Sequence, residues 1–246
     1  CEIVPLNITI PEGVAINPTA TVTPTCTNNV VGNTVVINVE ASVVGSVTYS
    51  LDDATYVTSN TFTNFAPGNY TAYVLHTNGC KQTTTFTINA LQPITASSNV
   101  TSNVLCFGEN SGVIEIIATG GTGILTYGIS PSFIMGTSNT FSGLTAGTYQ
   151  ILVQDEIGCQ VTLSNITITE PTAALSATST IQAETCLNAN DGSFTIIVSG
   201  GTAPYQTSLD GITFTNTLTY SNLAGGQNYI VYVSDANEIG RASGRE

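Results

Sequence analysis

The sequence predicts an all-β protein made of tandem β-sandwich repeats of about 80 residues, stacked end to end. Three observations carry the prediction. Two interleaved cysteine series share one period: Cys26, Cys106 and Cys186 are spaced by 80 and 80 residues, and Cys1, Cys80 and Cys159 by 79 and 79. Apolar residues alternate with polar ones in short runs bounded by Gly, Asn and Pro, and no stretch has helical spacing. Hydrophobic residues make up 41% of the chain against 8% charged, so cores can form while Thr, Ser and Asn supply the surface polarity of an extracellular β protein.

At 246 residues the chain has room for two or three domains. Residues 1–13 read as the last strand of a preceding repeat. Repeats follow over 14–92, 93–171 and 172–246, the last truncated with an atypical tail from 238. Within each repeat, a Gly/Asn turn after the first cysteine leads into a strand whose alternate positions are large and apolar. These are Val35, Ile37 and Val39, then Ile114, Ile116 and Ala118, then Phe194, Ile196 and Val198. A Gly-Gly turn ends that strand in the second and third copies, at Gly120-Gly121 and Gly200-Gly201, where the first has Val44-Gly45. Tyr49, Tyr127 or Tyr205 opens the next strand. The run Phe62 to Tyr70 returns as Phe141 to Tyr149 and as Tyr220 to Tyr229. Its final residue, Tyr70, Tyr149 or Tyr229, starts another alternating strand in the manner of a tyrosine corner, whose ring enters the core and whose hydroxyl bonds an upstream backbone group. About seven short strands per repeat predict an immunoglobulin-like or PKD-like sandwich. Boundaries fall at Pro93 and at Glu170-Pro171, and joints so short predict a semi-rigid rod.

Charge excludes several functions. Sixteen acidic residues face three basic ones, a net charge of −13, which leaves no cationic patch for nucleic acid or anionic lipid. No apolar run approaches the roughly 18 residues needed to span a bilayer. The N-terminus lacks the basic, apolar and small-residue succession of a secretory signal, so the chain reads as an interior fragment of something longer. Six cysteines point to an oxidising compartment.

The stretches Cys106-Phe107-Gly108-Glu109-Asn110-Ser111-Gly112, Gly120-Gly121-Thr122-Gly123, Leu144 to Tyr149 and Asp155-Glu156-Ile157-Gly158-Cys159 resemble the SprB repeat of Bacteroidetes gliding-motility adhesins. All three copies fit. The resemblance implies large cell-surface proteins exported by the type IX secretion system, whose tandem repeats form a filament outside the cell. Two departures stand out. The tyrosine after the Gly-Gly turn is not followed by the Ser-Trp that many members carry. The period also calls for Gly-Cys at 238 and 239, where the chain has Glu238-Ile239, then Gly240-Arg241-Ala242-Ser243-Gly244-Arg245-Glu246. Two of the three basic residues lie in that tail, the mark of a processing or assembly scar.

Three cysteine arrangements are open. Bridges within a repeat would join Cys26 with Cys80 and Cys106 with Cys159. In an immunoglobulin-like topology those residues sit at opposite ends of a sandwich, separated by roughly 26 Å for an eight-residue strand, whereas a disulfide needs Cα atoms within about 7 Å. Stacked repeats would instead bring the A-B loop of one against the F-G loop of the next, so the preferred pairing is Cys26 with Cys159 across the junction. The other cysteines would then pair with repeats outside this segment. Free or intermolecular thiols are the third arrangement.

Catalytic constellations are weak. A Ser or Cys nucleophile needs a base, and the one histidine, His76, takes the place of Asp155 and Asp235 in the sister repeats, a loop substitution. Asp52-Asp53 and Asp155-Glu156 do not recur in every copy and read as solvated loop acids, not a glycosidase pair. No catalytic residue is assigned, and no enzyme is expected. Calcium is the candidate cofactor, with Asn188, Asn190 and Asp191 as ligands, against an Asx-type turn. Gly120-Gly121-Thr122-Gly123 reads as a strand-joining turn, since no helix follows to make a phosphate cradle. Tyr56, Tyr73 and Tyr232 could stack on sugars. The expected role is structural, in an extracellular fibre or adhesin at the cell surface, and the alternative is a glycan-binding module on such a stalk. Partners are neighbouring repeats of the same chain and other copies in a filament, or surface glycans in the alternative, with neither nucleic acid nor membrane insertion.

Overall fold

The computed structural model describes residues 6–237 apart from Pro11, Glu12, Val14, Asn28, Ala41, Ser42 and Val44. Among these residues every regular element is a strand, as the alternation of apolar side chains requires.

The first block builds β1 (Thr19–Thr27), β2 (Val30–Asn38), β3 (Val47–Ser50), β4 (Thr61–Thr63), β5 (Gly68–His76) and β6 (Lys81–Ile88). They form two antiparallel sheets, β1-β2-β4 and β3-β5-β6. Alternate residues of β2 and β5 point inward, so Val35, Ile37, Ala72 and Val74 meet Tyr49, Phe86 and Ile88 in one core. The second block repeats the plan with β7 (Thr95–Ser102), β8 (Gly112–Thr119), β9 (Thr126–Ile129), β10 (Thr140–Leu144), β11 (Gly147–Tyr149), β12 (Ile151–Gln154), β13 (Gln160–Thr162) and β14 (Ile166–Ile168). Here β10-β8-β7 is one sheet. The other is interrupted at Gln150, so that β13-β12-β9 and β11-β14 are separate ladders. The third block has β15 (Ser176–Gln182), β16 (Gly192–Ser199), β17 (Gln206–Ser208), β18 (Thr219–Leu223) and β19 (Tyr232–Ser234). Its sheets are β15-β16-β18 and the two-stranded β17-β19.

Each of the first two blocks has a three-on-three plan, where the sequence suggested about seven strands per repeat. The missing one is reduced to a single bridge, Tyr49 to Val57, Tyr127 to Gly136 and Thr207 to Thr215. These bridges also correct an alignment. Thr207, not Tyr205, takes the position of Tyr49 and Tyr127. Thr207 is fully buried, with its hydroxyl against Tyr220 Oη at 2.7 Å and against the Thr217 carbonyl, so a hydrogen-bonded hydroxyl replaces the aromatic ring. Tyr205 lies two residues earlier and donates to the Gly200 carbonyl at 2.7 Å.

The chain divides into two compact units. One comprises Cys1–Thr95 with the segments Gly120–Leu125 and Gln154–Gln160, and the other Ala96–Thr119, Thr126–Val153 and Val161–Glu246. Leu6–Ile10, described at the start of the chain, are exposed and belong to no strand.

Candidate functional site

A covalent clamp lies in the first unit. Cys26 sits at the end of β1, and its sulfur is bonded to that of Cys159, 133 residues later, with the Cα atoms 5.2 Å apart. This is the pairing preferred from the sequence. The alternatives within repeats are not formed: Cys80 and Cys106 carry free thiols, as does Cys186. Cys1 lies outside the described residues. Beside the bridge, the Asn29 side-chain oxygen accepts the Gln160 N–H at 2.8 Å. Asn29 takes a positive φ of 60°, a conformation that asparagine tolerates and that turns the chain between β1 and β2.

A buried carboxylate organises the second half of the clamp. Asp155 is 5% exposed. Its Oδ1 accepts the Cys159 N–H at 2.8 Å and its Oδ2 the Thr122 N–H at 3.0 Å. One side chain thus ties the cysteine to the Gly-Gly turn. Gly120 and Gly121 have φ of 78° and 73°, and a Cβ on Gly120 would strike the Pro93 carbonyl, so glycine is required there. Asp235 repeats the arrangement in the second unit, accepting Thr202 N–H at 2.9 Å and Asn237 N–H at 3.0 Å beside Gly200 and Gly201. In the first block, where the Gly-Gly pair is absent, buried His76 stands in this place. Its Nδ1 accepts the Asn78 N–H at 3.2 Å. The reading of Asp155 as a solvated loop acid is therefore corrected. The signal that identifies it is co-recurrence: both blocks with Gly-Gly-Thr have the aspartate, and the block lacking the pair has histidine.

The tyrosine corners have the expected bonds in two copies. Tyr70 Oη donates to the Ala66 carbonyl and Tyr149 Oη to that of Thr145, each at 2.9 Å. Tyr229 reaches Ala224 at 3.4 Å, is 39% exposed and lies outside any strand.

Cys106 occupies the position of Cys26 in the second block. Burial pushes its thiol pKa up, and the negative charges of Glu109 and Asp235 act in the same direction. The neighbouring Leu105 carbonyl accepts a bond from Asn237 Nδ2 at 2.9 Å.

The residues considered as calcium ligands form hydrogen bonds within their own loop. Asp191 Oδ1 accepts the Thr185 N–H at 2.9 Å and Oδ2 its hydroxyl at 2.6 Å, which together hold the Asp191 carboxyl below its ordinary pKa. Asn188 and Asn190 have positive φ, and their N–H groups point to the Glu184 carboxylate. The turn is closed by its backbone N–H groups donating to the Asp191 and Glu184 carboxylates, and the matching Asn28 lies outside the described residues. Among the described residues no group of three or more His, Cys, Asp or Glu is placed to hold a metal ion. Of the tyrosines considered for sugar stacking, Tyr56 donates to Asp53 at 2.6 Å, which pushes its pKa up to about 12. Lys81 pairs with the same carboxylate at 2.8 Å and lies 5.8 Å from the Tyr73 ring centroid. Tyr232 packs against Gly211.

The spacing of the clamp, the Gly-Gly turns and the aspartates recurs with the blocks, and the SprB repeat family matches residues 98–132 and 178–214. The chain carries SprB repeats. Both SprB matches start within the first strand of their block, β7 or β15, and run past the Gly-Gly turn. The first block, which lacks that turn, lies outside them. SprB repeats together with a disulfide fit a cell-surface repeat protein. No curated protein matches the chain. Among solved structures, the three N-terminal domains of the highly immunogenic outer capsid protein (Hoc) of bacteriophage RB49 are similar, with 15% identity, a TM-score of 0.42, and coverage of 78% of this chain and 75% of that one. The C-terminal 282-residue fragment of intimin, solved with the intimin-binding domain of its translocated receptor, has 15% identity and a TM-score of 0.34. That match covers 64% of this chain and 65% of the intimin chain.

Proposed function

We propose that this chain is a non-catalytic, load-bearing repeat segment of an extracellular fibre or adhesin at the cell surface. The observation that carries the reading is the Cys26–Cys159 bridge, whose span of 133 residues exceeds the 80-residue period of the sequence. A bridge longer than the repeat fastens one block to the next. It therefore bypasses a complete repeat when the chain is pulled. The acidic, Thr-rich and Asn-rich surface keeps such a fibre soluble.

Single-molecule extension tests this directly. Pulled from its ends, the chain should release about 450 Å less contour length when oxidised than with a reducing agent, since a bridged loop of this size cannot extend. Equal lengths in both conditions would remove the bridge from the load path. Images of the secreted protein should show a thread of regular period, whereas compact particles retained on polysaccharide would replace the spacer reading with a glycan-binding one.

A further inference from the structure

The outer face of the β3-β5-β6 sheet carries a cluster that the sister blocks lack. Half-buried Tyr73 of β5 lies on this face between Ser50 of β3 and Thr83 of β6. Tyr49 points to the core, so Ser50 points outward, yet it is 1% exposed because the loop over residues 51–56 folds back across it. That loop carries Asp53 and Tyr56 to the same corner. Lys81, the only lysine of the chain, pairs with Asp53 at 2.8 Å and lies 5.8 Å from the Tyr73 ring centroid. The Tyr56 hydroxyl donates to Asp53 Oδ1 at 2.6 Å. Lys81 and Asp53 remain open to solvent, with side chains 47% and 35% exposed.

The cluster is not needed to close the loop. Ser50 and Asp52 do that, through the Ser50 hydroxyl and the N–H groups of Ala54 and Thr55, and Ser208 and Asp210 repeat the same bonds in the third block. Thr207 corresponds to Tyr49, so four residues further on Gly211 corresponds to Asp53. Both take a positive φ, 71° for Gly211 and 58° for Asp53. Glycine adopts that conformation freely, whereas a residue with a Cβ is strained in it. Asp53 therefore holds backbone strain for which the fold has no use, and strain of this kind gathers at ligand sites. Its partners are equally particular to the first block. Phe214 stands where Tyr56 does, and Leu152 and Gln160 stand one period after Tyr73 and Lys81. Adjacent repeats leave the face open: in the second block, with one block before it and one after it in the sequence, Ser132, Gln160 and Thr162 at the equivalent places are exposed.

We propose that this corner binds a neutral pyranose unit of a surface polysaccharide, with Tyr73 as its floor and Asp53, Lys81 and Tyr56 as its polar wall. The C–H face of a pyranose is apolar and stacks on an aromatic ring, while its hydroxyls both donate and accept. A carboxylate offers about four acceptor sites and an ammonium three donors. Lys81 and Tyr56 leave a lone pair free on Asp53, and Lys81 keeps a donor beyond the carboxylate, so two adjacent sugar hydroxyls are served, one donating and one accepting. Acidic sugars are disfavoured, because Asp53 neutralises the one cation of the site and the chain has a net charge of −13. The site adds a ligand to the load-bearing segment, and a thread that carries it still bears load.

Affinity electrophoresis of the full chain tests the proposal, in native gels cast with dextran, mannan or galactan as neutral probes and alginate as an acidic one. At least one neutral gel should retard the wild type. Asp53→Gly and Lys81→Gln install residues that the sister blocks already have at these places, which leaves the fold intact. Each should weaken retention about tenfold or more, since a hydrogen bond to a charged group is lost. Tyr73→Phe should keep the retention and Tyr73→Ala lose it, a split that follows the ring and not the hydroxyl. Thermal midpoints measured alongside separate lost binding from lost fold, and if Tyr73→Ala does not fold, Asp53→Gly and Lys81→Gln decide alone. Free migration through all three neutral gels, retardation by alginate alone, or undiminished retention of both Asp53→Gly and Lys81→Gln would each overturn the site. None of these outcomes touches the load-bearing reading, which stands or falls on the extension experiment.

Discussion

Asp155 joins a turn, a disulfide and a β-strand through two hydrogen bonds to one buried carboxylate, from the N–H groups of Thr122 and Cys159. Removing it leaves both donors without their acceptor in a part-buried site, and bonds to a charged acceptor contribute about 1.5–3 kcal/mol each. Asp155→Ala should therefore lower stability by about 3 kcal/mol, read as a reduced urea midpoint at unchanged slope. Asp155→Asn, which keeps one acceptor oxygen, should fall between. The sequence contains this residue and its period, yet an aspartate in a loop has the same letter whether it is solvated or turned inward. Burial follows from where the loops lie in space, and only the joint recurrence of Gly-Gly-Thr with the aspartate hints at it. The free Cys106 differs: its equivalence to Cys26 follows from the count of 80 alone.

Turns between strands show which local features carry structural information. Ser50-Leu51-Asp52 and Ser208-Leu209-Asp210 fold alike, the serine hydroxyl donating to the aspartate at 2.7 and 2.6 Å. Each aspartate then accepts the next backbone N–H groups, Ala54 and Thr55 in one, Ile212 and Thr213 in the other. Those bonds hold the Asp52 and Asp210 carboxyls far below the ordinary 3.8, the backbone bond from Thr55 contributing most for Asp52 and the Ser208 hydroxyl most for Asp210. A carboxylate depressed in the folded state adds stability above its unfolded pKa and loses it as pH falls through the folded value. The contribution is therefore intact at neutral pH and disappears progressively below about pH 4. In Asp52→Asn/Asp210→Asn the decline of thermal midpoint below that pH should be shallower than in wild type, with the midpoint at neutral pH lowered. The strands themselves were legible, because the alternation that places Val35 and Ile37 in the core is written into the sequence. The register of the third block was not. Reading the nearest aromatic, Tyr205, as the partner of Tyr127 follows hydrophobicity, whereas the fold follows spacing and accepts Thr207 once Tyr220 and the Thr217 carbonyl satisfy its hydroxyl.

At the scale of the whole molecule, a clamp longer than the repeat it belongs to must overlap the next clamp in the series. An array with every cysteine in place would be interlocked, and no block could be drawn out without breaking a covalent bond. This chain has the second clamp half made. Cys106 stands where Cys26 does, Asp235 where Asp155 does, and Asn237 already bonds the Leu105 carbonyl, but the position 80 residues after Cys159 holds Ile239, which lies outside the described residues. Ile239→Cys should supply the missing sulfur. After air oxidation, digestion without reductant should yield a peptide joining Cys106 to position 239, and the thermal midpoint should rise because the new bridge closes a loop of the same length as the first, for which chain entropy predicts about 5 kcal/mol. The same change should suppress any interchain bond at Cys106, since a partner in the same chain acts at high effective concentration. If position 239 instead pairs with Cys80 or Cys186, the period of the sequence does not extend to its tail, and the interlocked array ends at the Cys26–Cys159 bridge.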